Sequence, residues 1–347
     1  MTKLNFYRKN PPHKMNISSF DFLILHRMRV CIPLLSLYLL AFNCFASDKT
    51  VIRIGVQATG TLAWELPILQ AEEKTNRLDL QIDPHPIATS EAGKIALQSG
   101  AVDVIVSDWI WVSRMRSDGV DFTFYPYSTT SGSLIVPESS PIHTIKDLKA
   151  KRLGIAGGEL DKNWLLLQAL AQQDLLDLNA SVEKVFGAPP LINEQLKQGR
   201  IDAALNYWHF GAKLETQGFR QLIDGKGILK GLGIQENVPT LGYVFKQSWA
   251  GSHKLALNSF FQAGKQAKMS LCCSELAWKK VIPLTQADDI VTQTKLRQHY
   301  CAGEIYQWGN LEQQAAERIY NLLRKVSNNQ LTGKSEHLQP GTFWSQD

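Results

Sequence analysis

Cysteine is scarce in this chain. Five occur in 347 residues, and two of them, Cys31 and Cys44, fall in an N-terminal stretch of different character. The other three, Cys272, Cys273 and Cys301, are too few for a disulfide scaffold and have no metal-ligand spacing, so no metal or other cofactor is expected. Their odd number allows one disulfide from Cys301 to either neighbour, with one thiol to spare. An excess of one charge is also missing. The first 46 residues carry Lys3, Arg8, Lys9, Lys14, Arg27 and Arg29 against Asp21 alone, so the rest balances at 31 basic and 31 acidic residues. That removes the electrostatic support for a nucleic-acid or membrane-surface role. Catalytic signatures are absent too: there is no G-x-S-x-G, H-E-x-x-H, P-loop or complete G-x-G-x-x-G. An enzyme is therefore not expected.

What is present is ordinary globular composition, 44% apolar and 20% charged, at a length that suits two domains. Residues 1–46 read as an N-terminal extension and an export signal. His26-Arg-Met-Arg29 is a positive n-region, and Val30 to Phe42 is an apolar run too short for a membrane anchor. Cys44-Phe-Ala46 presents a cleavage site before Ser47, which implies a periplasmic protein.

The mature chain contains an internal duplication. Val51-Ile-Arg-Ile-Gly-Val56 reads as a buried strand that breaks into the loop Gln57–Thr61 and enters a helix. At an offset of 99 residues Arg152-Leu-Gly-Ile-Ala156 and Gly157-Gly158 repeat the pattern, with Arg53 on Arg152 and Gly55 on Gly154. The same offset lays Gly100-Ala-Val-Asp103, ending at Ser107-Asp108-Trp109, on Gly199-Arg-Ile-Asp202, ending at Asn206-Tyr207-Trp208. Alternating strands and helices imply an α/β fold of two lobes, each a mostly parallel sheet flanked by helices. Two crossing segments, near Ser131–Leu134 and Asn237–Leu241, join them. Lobe one is expected at 47–133 plus 238–326, lobe two at 134–237, and a loose polar tail at 327–347. The helices after Ser252 are expected to pack back on lobe one, the second strand to span Leu78–Ile82, and His85 to sit in a loop.

In open α/β sheets ligands sit beyond the carboxyl ends of the strands, so four loops are the candidate site. Thr59, Gly60 and Thr61 lead into a helix and can aim backbone N–H groups at a ligand oxygen, and Gly157-Gly158 can do the same from lobe two. Trp64, Trp109 and Trp208 stand at or just after these loops and are candidate walls for a flat or cationic group, with Asn206 beside them. Asp108, Glu159 and Asp161 make the ionisable groups lean acidic, against Lys162. Asp103 and Asp202 lie early in their strands and read as structural, and His209 as a binding or packing group.

Ile52-Arg-Ile-Gly-Val-Gln57, Thr59-Gly-Thr61, Ala96-Leu-Gln-Ser-Gly-Ala-Val-Asp103, Ser140-Pro-Ile-His-Thr-Ile-Lys-Asp-Leu-Lys149 and Gly199-Arg-Ile-Asp-Ala203 together resemble exported solute-binding proteins of ABC importers. The chain is similar in particular to their sulfonate/nitrate/taurine and thiamine-precursor (pyrimidine) group, well from Val51 to Gly227 and loosely beyond. The resemblance implies the class II periplasmic-binding-protein fold, a small-molecule ligand, a membrane permease as partner, and a monomer. Carried over residue by residue, it implies ligand contacts at Gln57, Thr59, Gly60, Thr61, Ser107, Asp108, Gly158, Glu159 and Asn163. Asp108, Glu159 and Asp161 stand where sulfonate and nitrate binders present hydroxyl or basic groups, and the cysteine-rich motif of the pyrimidine synthase relatives is missing. The expected function is capture of a small organic solute between the lobes and its delivery to an importer. The alternatives are a ligand-sensing accessory protein for a membrane receptor or periplasmic enzyme, or an enzyme on the same fold using His209 or Glu159.

Overall fold

The computed structural model describes residues 49–75 and 78–345. The export signal and its cleavage site lie outside the described residues, among which no helix is long and apolar enough to cross a membrane.

Among the described residues ten strands build two sheets. They are β1 (Thr50–Gln57), β2 (Leu80–Ile87), β3 (Val104–Ser107), β4 (Phe122–Ser128), β5 (Gly132–Pro137), β6 (Arg152–Ala156), β7 (Glu183–Gly187), β8 (Ala203–Tyr207), β9 (Phe219–Asp224) and β10 (Leu241–Lys246). The orders are β2-β1-β3-β10-β4 and β7-β6-β8-β5-β9. In each sheet four strands run one way and one, β10 or β5, runs against them. The chain changes sheet between β4 and β5 and returns at β10.

The duplication is visible in side chains. Asp103 takes the Arg53 backbone N–H at 3.0 Å and its guanidinium at 3.0 and 2.6 Å. Asp202 takes the same three groups of Arg152 at 2.8, 3.2 and 2.7 Å. Each planar guanidinium ties a strand to the turn before its parallel neighbour, at the end of that neighbour away from the candidate loops. Asp103 and Asp202 are structural, as their strand positions imply.

Several expectations need correction. The second strand runs on to Ile87 through Pro84 and Pro86, which is tolerated because β2 is an edge strand whose N–H groups need no ladder partner on the open side. His85 therefore lies in a strand, its ring 2.9 Å from Asp83. Strand β9 was not expected, and Asp224 at its end caps the short helix Gly225–Gly231 by accepting from the Gly227 N–H. The segment from Ser327 is not loose, since its apolar residues bury against lobe one. Phe343 bridges to Phe124 on edge strand β4 and packs on Trp109 and Trp308, Trp344 packs on Phe245, and Arg116 holds the Pro340 carbonyl. Covering a sheet edge removes an open row of hydrogen-bonding groups.

The C-terminal helices divide between the lobes. Lys254–Cys273 and Glu275–Thr285 lie against helix Leu62–Lys74 of the first sheet. Ile290–Ala302 lies instead against Trp208–Glu215, and Asn310–Val326 against Lys162–Gln173, both of the second. The reason is an apolar stripe: Ala315, Ile319 and Leu323 recur at helical spacing and join one buried cluster with Trp164, Leu153 and Leu205 of the second sheet and Phe124 of the first. A disulfide, Cys272–Cys301, joins helices Lys254–Cys273 and Ile290–Ala302, and Cys273 is an exposed free thiol.

Candidate functional site

The four candidate loops meet in pairs across the two sheets. Asp108, at the end of β3, caps the helix Trp109–Ser117 with one carboxylate oxygen, which accepts from the Trp111 N–H at 2.9 Å. Its other oxygen accepts from Lys162 Nζ, at the start of the helix that follows β6, at 3.0 Å. On the second pair, the Trp64 ring, two residues into the helix that follows β1, crosses Trp208 after β8 edge to face, centroids 6.0 Å apart. The crossing segments are stitched to the same residues. Asn163 Oδ1 accepts from the Gly132 N–H, the Trp208 N–H donates to Ser131 O, and Trp109 Nε1 donates to Pro239 O. A Cβ on Gly132 would lie 2.8 Å from the Asn206 carbonyl and 2.9 Å from the Asn163 side chain, so the first crossing can pass here only as glycine. Beside Trp109 and Lys162 a cavity of about 30 Å³ remains, lined also by Ser131, Asn163, Leu166, Leu229, Val238 and Leu323. It has room for about one water.

Electrostatics favour the bridge as an ion pair. Burial alone would raise the Asp108 carboxyl, but Lys162, Lys94 and the Trp111 N–H outweigh it and hold it below its ordinary value of 3.8. Burial opposes the Lys162 charge, yet Asp108 and Asp161 hold its ammonium above the usual range. Asp161 is raised by burial; its side chain accepts the Asn163 and Trp164 N–H groups and caps the next helix. A carboxylate depressed in the folded state contributes stability above its unfolded pKa and loses it as pH falls through the folded one. Asp108→Asn is therefore expected to flatten the acid limb of the stability curve below about pH 3.8, read from urea midpoints across pH. Equal acid slopes in variant and parent would refute the pairing.

The structure brings some of the expected residues to the loops' open surface and packs others away. Thr59, Gly158 and Glu159 are exposed, and Gln57, Gly60, Thr61 and Asn163 half-buried. The Gly60 N–H closes a turn onto Gln57 O, while among the described residues the N–H groups of Thr59, Thr61, Gly158 and Glu159 have no main-chain acceptor. Gly157 holds φ at +97°, a region that favours glycine, which turns β6 into that open loop. Ser107 is buried, with a hydroxyl that has no partner among the described residues. Trp64, Trp109 and Trp208 are only 3%, 2% and 8% exposed and are packed in this structure. Asn206 is used inside lobe two: its amide donates to Pro189 O and Asn193 Oδ1, and its oxygen accepts the Tyr207 N–H. His209 sits among aromatic rings with both nitrogens shielded and unpartnered, and burial pushes it down to about 3. Among the described residues neither nitrogen has a hydrogen-bond partner.

One polar centre was missed. Glu65 is fully buried and accepts the hydroxyls of Tyr300 at 2.5 Å, Tyr127 at 2.8 Å and Tyr243 at 3.5 Å. Thr61 of the first loop touches the same Tyr127 hydroxyl at 3.2 Å, so the centre lies directly behind a candidate loop. Burial raises the Glu65 carboxyl and lowers the Lys268 ammonium, which sits nearby and donates to the Tyr127 carbonyl at 2.7 Å. A signal existed: Glu65 falls between Leu62 and Leu69 at i+3 and i+7 spacing, a carboxylate on a buried helix face.

This arrangement, two similarly ordered sheets whose strand ends face a common seam, is the two-lobe fold of periplasmic binding proteins. The alkanesulfonate-binding protein SsuA from Xanthomonas axonopodis pv. citri, solved bound to MOPS, matches with a TM-score of 0.65 at 18% identity, over 86% of this chain and 99% of that one. The periplasmic aliphatic sulphonate binding protein SsuA from Escherichia coli matches equally, at 0.65 and 18%, over 85% and 99%. The model of the "NMT1/THI5 like" family matches residues 76–271, more than half of the chain, and the protein belongs to that family. Among curated relatives, an Escherichia coli (strain K12) protein named for binding aliphatic sulfonates is 28% identical over 213 residues, 57% of this chain and 63% of its own. An ATP phosphoribosyltransferase of Chlorobium luteolum (strain DSM 273 / BCRC 81028 / 2530) is 30% identical over 129 residues, 36% and 40%. The chain thus spans less than two thirds of the length of either curated relative.

Proposed function

We propose that this is an exported, periplasmic solute-binding protein that holds a small organic molecule between its two sheets and hands it to the permease of an ABC importer. The observation that carries the reading is the Asp108–Lys162 bridge, a polar contact at 3.0 Å between the segment that follows β3 of one sheet and the segment that follows β6 of the other. Entry of a solute larger than a water requires the lobes to part there, and two crossing segments give them a hinge. The acidic lean of the loops is offset in part: Lys162 pairs Asp108, Asp161 is turned inward as a cap, and the N–H groups of Thr59, Thr61, Gly158 and Glu159, which have no main-chain acceptor among the described residues, supply donors. That set suits a solute with an oxygen-rich anionic head, the chemistry of the sulfonates for which several relatives are named. A catalytic reading finds no support at His209, whose nitrogens are shielded.

Titration calorimetry with ethanesulfonate tests this. Wild type is expected to bind, and Lys162→Met to bind about tenfold more weakly, the size of a hydrogen bond to a charged group. Equal affinity in the two proteins, or no binding to wild type of any sulfonate, pyrimidine or amine, would contradict the reading.

A further inference from the structure

The helix Ile290–Ala302 has two polar faces, and each meets helices of a different sheet. Arg297, Tyr300 and Cys301, at i, i+3 and i+4, share one face. The Arg297 guanidinium donates to the Leu271 and Cys272 carbonyls at 2.9 and 3.0 Å, Tyr300 donates to Glu65, and Cys301 is bonded to Cys272. All of these partners lie on Leu62–Lys74 and Lys254–Cys273, the helices of the first sheet. Thr292, Lys295 and His299, at i, i+3 and i+7, share the other face. The hydroxyls of Thr292 and Thr216 lie 2.7 Å apart, and Lys295 Nζ and His299 Nε2 lie 2.9 and 3.1 Å from the Glu215 carboxylate. The His299 ring stacks on Trp208, centroids 6.3 Å apart. These partners form or cap the helix Trp208–Glu215 of the second sheet.

The two faces are held unequally. The first has a covalent bond and a fully buried carboxylate, whereas the second has ion pairs whose cations are 34% and 26% exposed. Glu215 gains nothing from its own helix, because a carboxylate in a last turn meets the partial negative charge of the helix end. Burial alone would raise its carboxyl, but His299 and Lys295 outweigh burial and hold it below its ordinary value of 4.5. The cations of the facing helix account for its place.

We infer that Ile290–Ala302 is a latch between the lobes, anchored on lobe one and engaging lobe two through Glu215 and Thr216. Opening of the solute cleft then separates this helix from Trp208–Glu215, with Glu215 a positioning residue that never touches solute. The inference rests on the proposed cleft, since it assigns solute exchange to that opening. Trp208 meets His299 on the latch and Trp64 on lobe one, so one motion releases both contacts.

Small-angle X-ray scattering of the dialysed full chain tests the latch with no solute present. Glu215→Gln/Thr292→Val is expected to have a larger radius of gyration than wild type. Glu275→Gln, which removes an ion pair of Arg297 on the anchored face, is expected to match wild type. Ethanesulfonate should also leave the double variant about fivefold faster than wild type, the scale of two partly exposed charge pairs, in stopped-flow tryptophan fluorescence. If the double variant fails to fold, Lys295→Gln/His299→Gln takes its place. If wild type binds no ethanesulfonate, the cleft reading fails and scattering alone decides the latch. A folded latch variant with the wild-type radius, or one that releases solute at the wild-type rate, overturns the proposal even if its unfolding midpoint falls.

Discussion

Glu65→Leu is expected to lower the unfolding free energy by about 3–5 kcal/mol, the cost of removing one partner from a buried charged network. The carboxylate is 0% exposed, and three tyrosine hydroxyls and the Lys268 charge are arranged around it. Its loss leaves those hydroxyls without an acceptor and the ammonium without the nearest opposite charge. Glu65→Gln keeps an acceptor oxygen and should cost less, about 1–3 kcal/mol for the donors left imperfectly met. Urea unfolding followed by tryptophan fluorescence reads both. A Glu65→Leu variant within about 1 kcal/mol of wild type would show that the tyrosines find other partners and that the centre does not hold the helix in place.

Removing the disulfide is the second large effect. Cys272 and Cys301 close a loop with a sequence separation of 29, and loop-closure entropy at that length contributes about 3–4 kcal/mol. The Cys272→Ser/Cys301→Ser double variant should lose about that much, while Cys273→Ser, at an exposed free thiol, should stay within about 0.5 kcal/mol of wild type. Cys301 follows Tyr300 directly and Cys272 lies one turn beyond Lys268, so the bridge also holds two members of the Glu65 centre. Combined with Glu65→Leu, the disulfide variant should therefore cost less than the two losses added. Strict additivity would show that the covalent bond and the polar centre act separately.

What the sequence made legible was local or repeated. The offset that matches Arg53 with Arg152 and Asp103 with Asp202 became two equivalent guanidinium–carboxylate ties and two sheets of equivalent order. Strand-end loops followed from the same register, and Lys162 and Asp108, both singled out there, became the bridge. The remainder depended on distant partners. Glu65 meets Tyr127, Tyr243 and Tyr300 across 62, 178 and 235 residues, separations that no periodicity records. The packing of the tryptophans after the loops was illegible for the same reason: Trp109 faces Phe343 and Pro239, which reach it from the tail and the return crossing. The tail itself looked loose because its few apolar residues, Leu331, Leu338, Phe343 and Trp344, are widely spaced and each finds a place on an existing core.

The central claim is that an organic solute lies between the two sheets. Native mass spectrometry of protein purified from a periplasmic fraction, with denaturing release of what it carries, tests it most directly. The account predicts a small molecule released intact from wild type and missing from a folded Asp108→Ala/Lys162→Ala variant. A wild-type protein that carries nothing and takes up no member of a sulfonate, pyrimidine and amine panel, or a variant that retains the molecule at wild-type occupancy, would contradict it.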